Sequence, residues 1–238
     1  MCTVTLIPTQ ENGFILTSNR DEAINRKTLA PEFYQVDKTR MLFPKDAVAG
    51  GTWIGLSDKN TMICLLNGGF EIHERSVSYR QSRGVVVKDL LSADHLKKAI
   101  SEYDYTGIEP FTIVAANWKS DLEFFELVWD GRQKHVRALE KETHIWSSST
   151  LYTPEMKKTR EDWFDVFQKA NVLSVDMLLD FHKNAGIGDK DIDLQIDRGF
   201  LKTRSITQIV KNGEELSMRY EDLQKKEVNV VTFEAITA

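Results

Sequence analysis

The order of apolar runs along the chain predicts an α+β fold. Strand-like alternation opens and closes the sequence, two pairs of helical patterns interrupt it, and no glycine fingerprint links a strand to a helix as nucleotide-binding α/β chains require. The segments Thr3–Ile7 and Phe14–Ser18 flank a polar stretch ending in Asn12-Gly13, a hairpin signal with a longer than minimal loop. A second pair, Thr52–Leu56 and Met62–Leu66, turns around Asp58-Lys59-Asn60. Residues 22–48 are broken by Pro31 and Pro44 and read as a long loop with at most short strands.

From Gly84 to Tyr103 the period becomes helical. Val85, Val86, Leu90 and Leu91 share a face, and Ser92 is expected to cap a second helix carrying Leu96, Ala99 and Ile100. Strands are expected again at Phe111–Ala116, Leu122–Trp129, Lys134–Ala138 and His144–Ser148. Helices follow over Pro154–Gln168, where Thr153-Pro154 is a good cap and first-turn pair, and over Val175–His182. Gly186–Phe200 reads as a polar loop, Thr203–Val210 and Leu216–Tyr220 as a hairpin across Asn212-Gly213, and Val228–Phe233 as an edge strand. Without a repeat or linker, residues 1–238 are expected to form one domain.

Composition narrows the function. A net charge of −5 disfavours a nucleic-acid partner, and its basic clusters, such as Lys97-Lys98 and Lys157-Lys158, are only pairs. There is no apolar run of membrane-spanning length, and the start lacks a basic, apolar leader pattern, so a cytoplasmic protein without membrane contact is expected. Two cysteines form no disulfide framework, and Cys64 sits in an apolar run as a core residue. The five histidines lack metal-ligand spacing, so neither a metal nor another cofactor is expected.

The most chemical residue is Cys2, directly after Met1. If Met1 is trimmed, one residue carries both a thiol and a free α-amine with a reference pKa of roughly 7.7–8.0. That amine can deprotonate its own side chain, giving a nucleophile with a built-in base. Asn19-Arg20-Asp21-Glu22 follows the second strand, where an Arg20–Asp21 pair could hold a thiolate or substrate carboxylate and Asp21 could orient the amine. The same four residues are also compatible with a solvated turn. Leu66-Asn67-Gly68-Gly69 has the composition of an oxyanion hole, a side-chain amide beside a closely approached backbone N–H, and equally that of a turn. Ser148, within Trp146-Ser147-Ser148-Ser149-Thr150, is a hydroxyl donor for substrate or part of a helix cap.

Taken in order, Met1-Cys2, Asn19-Arg20-Asp21-Glu22, Gly50-Gly51-Thr52-Trp53-Ile54-Gly55, Leu66-Asn67, Ser82-Arg83-Gly84, Ser147 to Pro154 and Thr203-Arg204-Ser205 resemble the NRDE family, also called the transport and Golgi organisation protein 2 family. The resemblance implies an N-terminal-nucleophile-hydrolase-like four-layer αββα sandwich of two antiparallel sheets, similar in outline to bile-salt hydrolases and penicillin V acylases. It implies a small-molecule substrate with a linear amide, Cys2 as nucleophile, and Asp21, Asn67 and the late arginine Arg204 as catalytic residues, with Asn19, Arg20 and Ser148 on the substrate. Two departures stand out: Arg20 and Asp21 are adjacent where the acylases space them, and Ser148 falls near their second oxyanion asparagine. Family members are also tied to haem handling and to Golgi organisation, so a non-catalytic ligand-binding or trafficking protein on the same scaffold is the alternative; were the ligand haem, its binding would be non-covalent because no Cys-x-x-Cys-His motif is present.

Overall fold

The computed structural model describes residues 3–234. Within them the chain is α+β, built on two antiparallel sheets. It divides into two compact units, one formed by residues up to 26 with 142–233, the other by 27–141 with Glu234.

The first unit opens with β1 (Thr3–Thr9) and β2 (Gly13–Ala23), the expected hairpin. Its three-residue loop needs left-handed backbone at Glu11 and Asn12 (φ 58° and 54°), which asparagine tolerates well. The sheet is completed by β10 (His144–Ser147), β11 (Leu201–Asn212), β12 (Glu215–Asp222) and β13 (Glu227–Thr232), in the order β10-β1-β2-β11-β12-β13. Two helices, α3 (Pro154–Ala170) and α4 (Val175–Asn184), start at Thr153 and Ser174, whose hydroxyls accept the Met156 and Met177 N–H groups. Phe164, Leu178 and Phe181 from these helices pack with Ile7 and Ile15 of the sheet and with Leu194 from the connecting loop. Each such side chain contributes about 1.5–3 kcal/mol by leaving water. One face of this sheet is thereby fixed as the helix face, carrying the odd-numbered residues of β1 and β2.

The second unit contains β3 (Thr28–Val36), β4 (Thr39–Asp46), β5 (Ile54–Ser57), β6 (Thr61–Asn67), β7 (Phe111–Asn117), β8 (Glu123–Trp129) and β9 (Lys134–Leu139), paired in chain order. Helices α1 (Arg83–Leu91) and α2 (Leu96–Glu102) bury Val86, Val87, Leu90, Leu91, Leu96 and Ile100 against Ile63, Leu65, Ile113 and Leu127 of its sheet. None of the helices among the described residues is long and apolar enough to cross a membrane.

Two expectations are corrected here. Residues 22–48 are not a long loop: β2 runs on to Ala23, and β3 and β4 form a hairpin turning at Asp37. The prolines that suggested a break are accommodated because β3 is an edge strand. Its register shifts between Leu29 and Glu32, so Pro31 lies in the bulge and Pro44 faces it, where no ladder N–H is needed. Ser92 does not cap α2 but ends α1, its hydroxyl donating to the Lys88 carbonyl; His95 occupies the α2 cap position.

The glycine-rich run before β5 has a packing reason. A Cβ at Gly84, in the first turn of α1, would lie 2.9 Å from both N and O of Thr52 and 3.1 Å from the Gly51 Cα. The backbones touch, and neither can yield as a side chain would. Gly84→Ala is therefore expected to lower stability by about 1–3 kcal/mol, read as a reduced denaturant midpoint with unchanged slope.

Candidate functional site

The polar residues of the first unit converge at the end of its sheet where β1 begins. Thr3 lies opposite Asn19 of β2 and Ser147 of β10, and Asp21 lies opposite Thr203 of β11. Asp21 is 2% exposed, and its two carboxylate oxygens receive hydroxyl donors. Thr203 Oγ1 donates to one at 2.6 Å and Tyr152 Oη to the other at 2.5 Å. Thr203 Oγ1 in turn accepts the Ile196 N–H at 2.9 Å, so its single proton is directed to Asp21.

Tyr152 is delivered by the turn that follows β10. The Ser148 carbonyl accepts the Tyr152 N–H at 3.2 Å, and the Ser148 hydroxyl shares a hydrogen bond with Thr150 at 3.0 Å. Ser148 is 1% exposed and thus shapes this turn, while the helix cap is Thr153. Below Tyr152 lies Arg160 of α3, fully buried. Its guanidinium carbon stands 3.5 Å over the tyrosine ring, and its nitrogens donate to Thr3 Oγ1 (2.7 Å), Ile192 O (3.0 and 3.1 Å) and Asp193 O (2.7 Å).

Asn19 is drawn inward. Its amide nitrogen donates to the carbonyls of Leu194 (2.7 Å) and His182 (3.1 Å), which assigns its oxygen to His182 Nδ1 at 2.7 Å. Nδ1 therefore carries the imidazole proton, and Nε2 accepts from Thr5 Oγ1 at 2.8 Å. Burial pushes the His182 pKa down to about 3, and the charge of Arg160 pushes the same way. With each amide proton engaged inside the unit, Asn19 positions the site rather than offering the substrate contact expected of it.

The expected Arg20–Asp21 pair is also corrected. Because β2 continues through both residues, alternation sends Asp21 to the helix face and Arg20 to the other. Arg20, 3% exposed, pairs with Glu22 at 3.5 Å on that second face. There Tyr220 of β12 has its phenol pKa raised by burial, with Arg20 and Arg204 pulling it back. Arg204 sits at a β-bulge, where the β11–β2 register shifts between Thr203 and Ser205. The bulge lets Thr203 face Asp21 while Arg204 turns its guanidinium to the Ile24 carbonyl at 2.7 Å. The structure thus brings Asp21, Thr203 and Tyr152 together and leaves Arg204 outside their contacts.

In the second unit Asn67 ends β6, opposite Phe111. The adjoining Gly68 (φ 87°) donates its N–H to Pro110 O at 3.0 Å and accepts the Thr112 hydroxyl at 3.0 Å. The backbone N–H of Gly68 is consequently engaged within its own unit. Cys2 lies outside the described residues. Sequence reasoning missed Arg160 and His182, since an arginine inside a charged helix and a histidine near a helix end carry no pattern that marks burial.

Comparison with known proteins agrees with this architecture. A family model described as Transport and Golgi organisation 2 matches residues 1–220. The mouse transport and Golgi organization 2 homolog is 26% identical over 185 residues, covering 72% of this chain and 65% of the mouse protein. The bovine homolog is 27% identical over 161 residues, covering 63% of this chain and 56% of its own length. The chain thus spans less than two thirds of these curated relatives. Among solved structures it resembles penicillin V acylase from Agrobacterium tumefaciens (TM-score 0.60, 10% identity, 98% of this chain and 86% of the other). It also resembles a variant of conjugated bile acid hydrolase from Clostridium perfringens (0.60, 10%, 97% and 92%) and a Caenorhabditis elegans N-acylethanolamine-hydrolyzing acid amidase ortholog (0.59, 12%, 87% and 92%). At such identities the likeness establishes the fold, that of N-terminal-nucleophile hydrolases.

His182 makes stability depend on pH in a defined direction. The folded protein keeps this ring neutral to about pH 3, whereas an unfolded histidine takes its proton near 6.5. Between those values the unfolded state binds the extra proton, so the contribution is intact above pH 6.5 and is lost progressively as pH falls toward 3. Denaturant midpoints should drop from pH 7 to pH 5. His182→Gln, though less stable throughout, should show a flatter profile across that range.

Proposed function

The chain belongs to the transport and Golgi organisation 2 family, and from that premise we propose that it is an amidohydrolase cleaving a linear, non-peptide C–N bond with Cys2 as nucleophile. The observation that carries this reading is the juxtaposition at the start of β1: Thr3, the residue after Cys2, is paired with Asn19, two residues from the buried and doubly hydrogen-bonded Asp21. Supporting it, the solved structures that share the fold include a penicillin V acylase and an N-acylethanolamine-hydrolyzing acid amidase ortholog.

In the proposed reaction, removal of Met1 frees the Cys2 α-amine, which takes the thiol proton as sulfur attacks the substrate carbonyl. The oxyanion that forms is stabilised by the Asn67 amide, the role that the resemblance to the acylases gives it. The ammonium then returns its proton to the departing amine as the C–N bond breaks, leaving a thioester on Cys2. Water, deprotonated by the same amine, attacks the thioester and releases the acid, restoring the thiol. Asp21 orients the amine from a fixed carboxylate, and Arg20 supplies positive charge on the sheet face away from the helices. Arg204, turned to the Ile24 carbonyl, has no step in this scheme.

Three measurements test it. Intact mass should show loss of Met1 without N-acetylation, and a retained Met1 in the native host would sink the mechanism. Iodoacetamide at limiting dose should modify Cys2 well before Cys64, which is 0% exposed; equal labelling would make Cys2 inert. On a panel of N-acyl amino acids, Cys2→Ala should abolish turnover, whereas Asn67→Ala should lower the rate by roughly two to three orders of magnitude with substrate binding retained. Absence of cleavage, with haem bound alike by wild type and Cys2→Ala, would favour a carrier.

A further inference from the structure

Arg160 is costly to bury. Removing a guanidinium from water carries a penalty of several kcal/mol, which an apolar side chain of similar volume would avoid. All its hydrogen bonds go to two main-chain carbonyls and one hydroxyl, and none reaches a carboxylate. Filling the space between α3 and the sheet therefore does not account for it. Its contacts meet on two groups that matter for the site: Thr3, which follows Cys2 in the chain, and Tyr152, whose phenol holds Asp21.

We infer that Arg160 and Tyr152 are positioning residues that clamp the start of the chain in register with Asp21, through the path Thr3 Oγ1–Arg160–Tyr152–Asp21. The inference rests on the amidohydrolase reading above. Arg160 fixes β1 from one side by the bond to Thr3 and fixes the tyrosine ring from below by cation–π contact, so the two cannot shift independently. The positive charge under the ring polarises the phenol, which strengthens its donation to Asp21. The ladder alone does not set this distance, because Tyr152 lies in a turn outside the strands. A nucleophile and base carried on one residue gain most from such fixing, since a displacement of about 1 Å can cost roughly a hundredfold in rate.

Each link can be cut separately. Thr3→Val removes only the hydroxyl that Arg160 holds, Tyr152→Phe removes only the phenol, and Thr3→Ser restores the first link. On an N-acyl amino acid that wild type cleaves, Thr3→Val and Tyr152→Phe should each lower kcat roughly ten- to a hundredfold with KM little changed, while Thr3→Ser stays near wild type. The pH dependence of Cys2 alkylation by iodoacetamide should move in the same two variants and not in Thr3→Ser. Variants that lose thermal stability but keep the wild-type kcat and alkylation profile would reduce the clamp to a structural element and overturn the inference. If wild type cleaves no amide, the amidohydrolase reading falls by itself. The alkylation profile, which needs no substrate, then decides the clamp: a shift in both variants upholds it and an unchanged profile refutes it.

Discussion

Everything in the first unit turns on satisfying the polar groups buried between its sheet and its two helices. The apolar contacts of Phe164, Leu178 and Phe181 supply attraction, but they do not determine where along the strands the helices stop. Asn19 does. Its amide nitrogen reaches the carbonyls of His182 on α4 and Leu194 on the following loop, while its oxygen accepts the hydrogen bond from His182 Nδ1–H. Sliding α4 along the sheet would leave buried donors and acceptors unpaired at about 1–3 kcal/mol each, a strong restraint against a fold's marginal net stability. Gln208 repeats the device one strand away, donating to Thr17 and to the Val175 carbonyl in the first turn of α4. The helix is thus pinned at both ends by side-chain amides from the sheet.

That restraint explains why a four-residue polar run serves two purposes. In Asn19-Arg20-Asp21-Glu22 strand alternation divides the labour: Asn19 and Asp21 meet the helix side, Arg20 and Glu22 the opposite face. An unbroken β11 would place the residues on either side of Arg204 on one face as well. The bulge at Arg204 changes the parity, so Thr203 serves Asp21 while Ser205 lies opposite Arg20. A one-residue irregularity thereby links two networks that a regular ladder would keep apart.

Much of this was legible from residue order. The two hairpins, the helix pair after Thr153-Pro154 and the buried run around Cys64 follow from periodicity and turn residues, which are local signals. The β3–β4 hairpin was not, because Pro31 and Pro44 look like breaks until the edge position and the bulge are known. In the site, the importance of Asp21 was visible, but its partners were not: Tyr152 and Thr203 lie 131 and 182 residues away. Adjacent Arg20 and Asp21 suggested a pair only because the strand was expected to end at Ser18. Arg160 was hidden by its neighbours, since Lys157, Lys158 and Glu161 make that stretch of α3 read as a solvated helix.

The interrupted order of the first unit bears on how the chain is made. Its opening hairpin is synthesised early, yet β11, the partner that completes β2, emerges only after residue 200. The intervening unit is continuous in sequence apart from its last residues, and its strands pair with chain neighbours, so it can fold while the rest is still being translated. Throughout that interval the hairpin has one sheet partner at most and no helices over it. The helix-facing side chains of Thr5, Asn19 and Asp21 meet their buried partners His182 and Tyr152 only when the chain beyond the intervening unit arrives. Topology thus makes the buried polar network of this unit the last part of the fold to assemble.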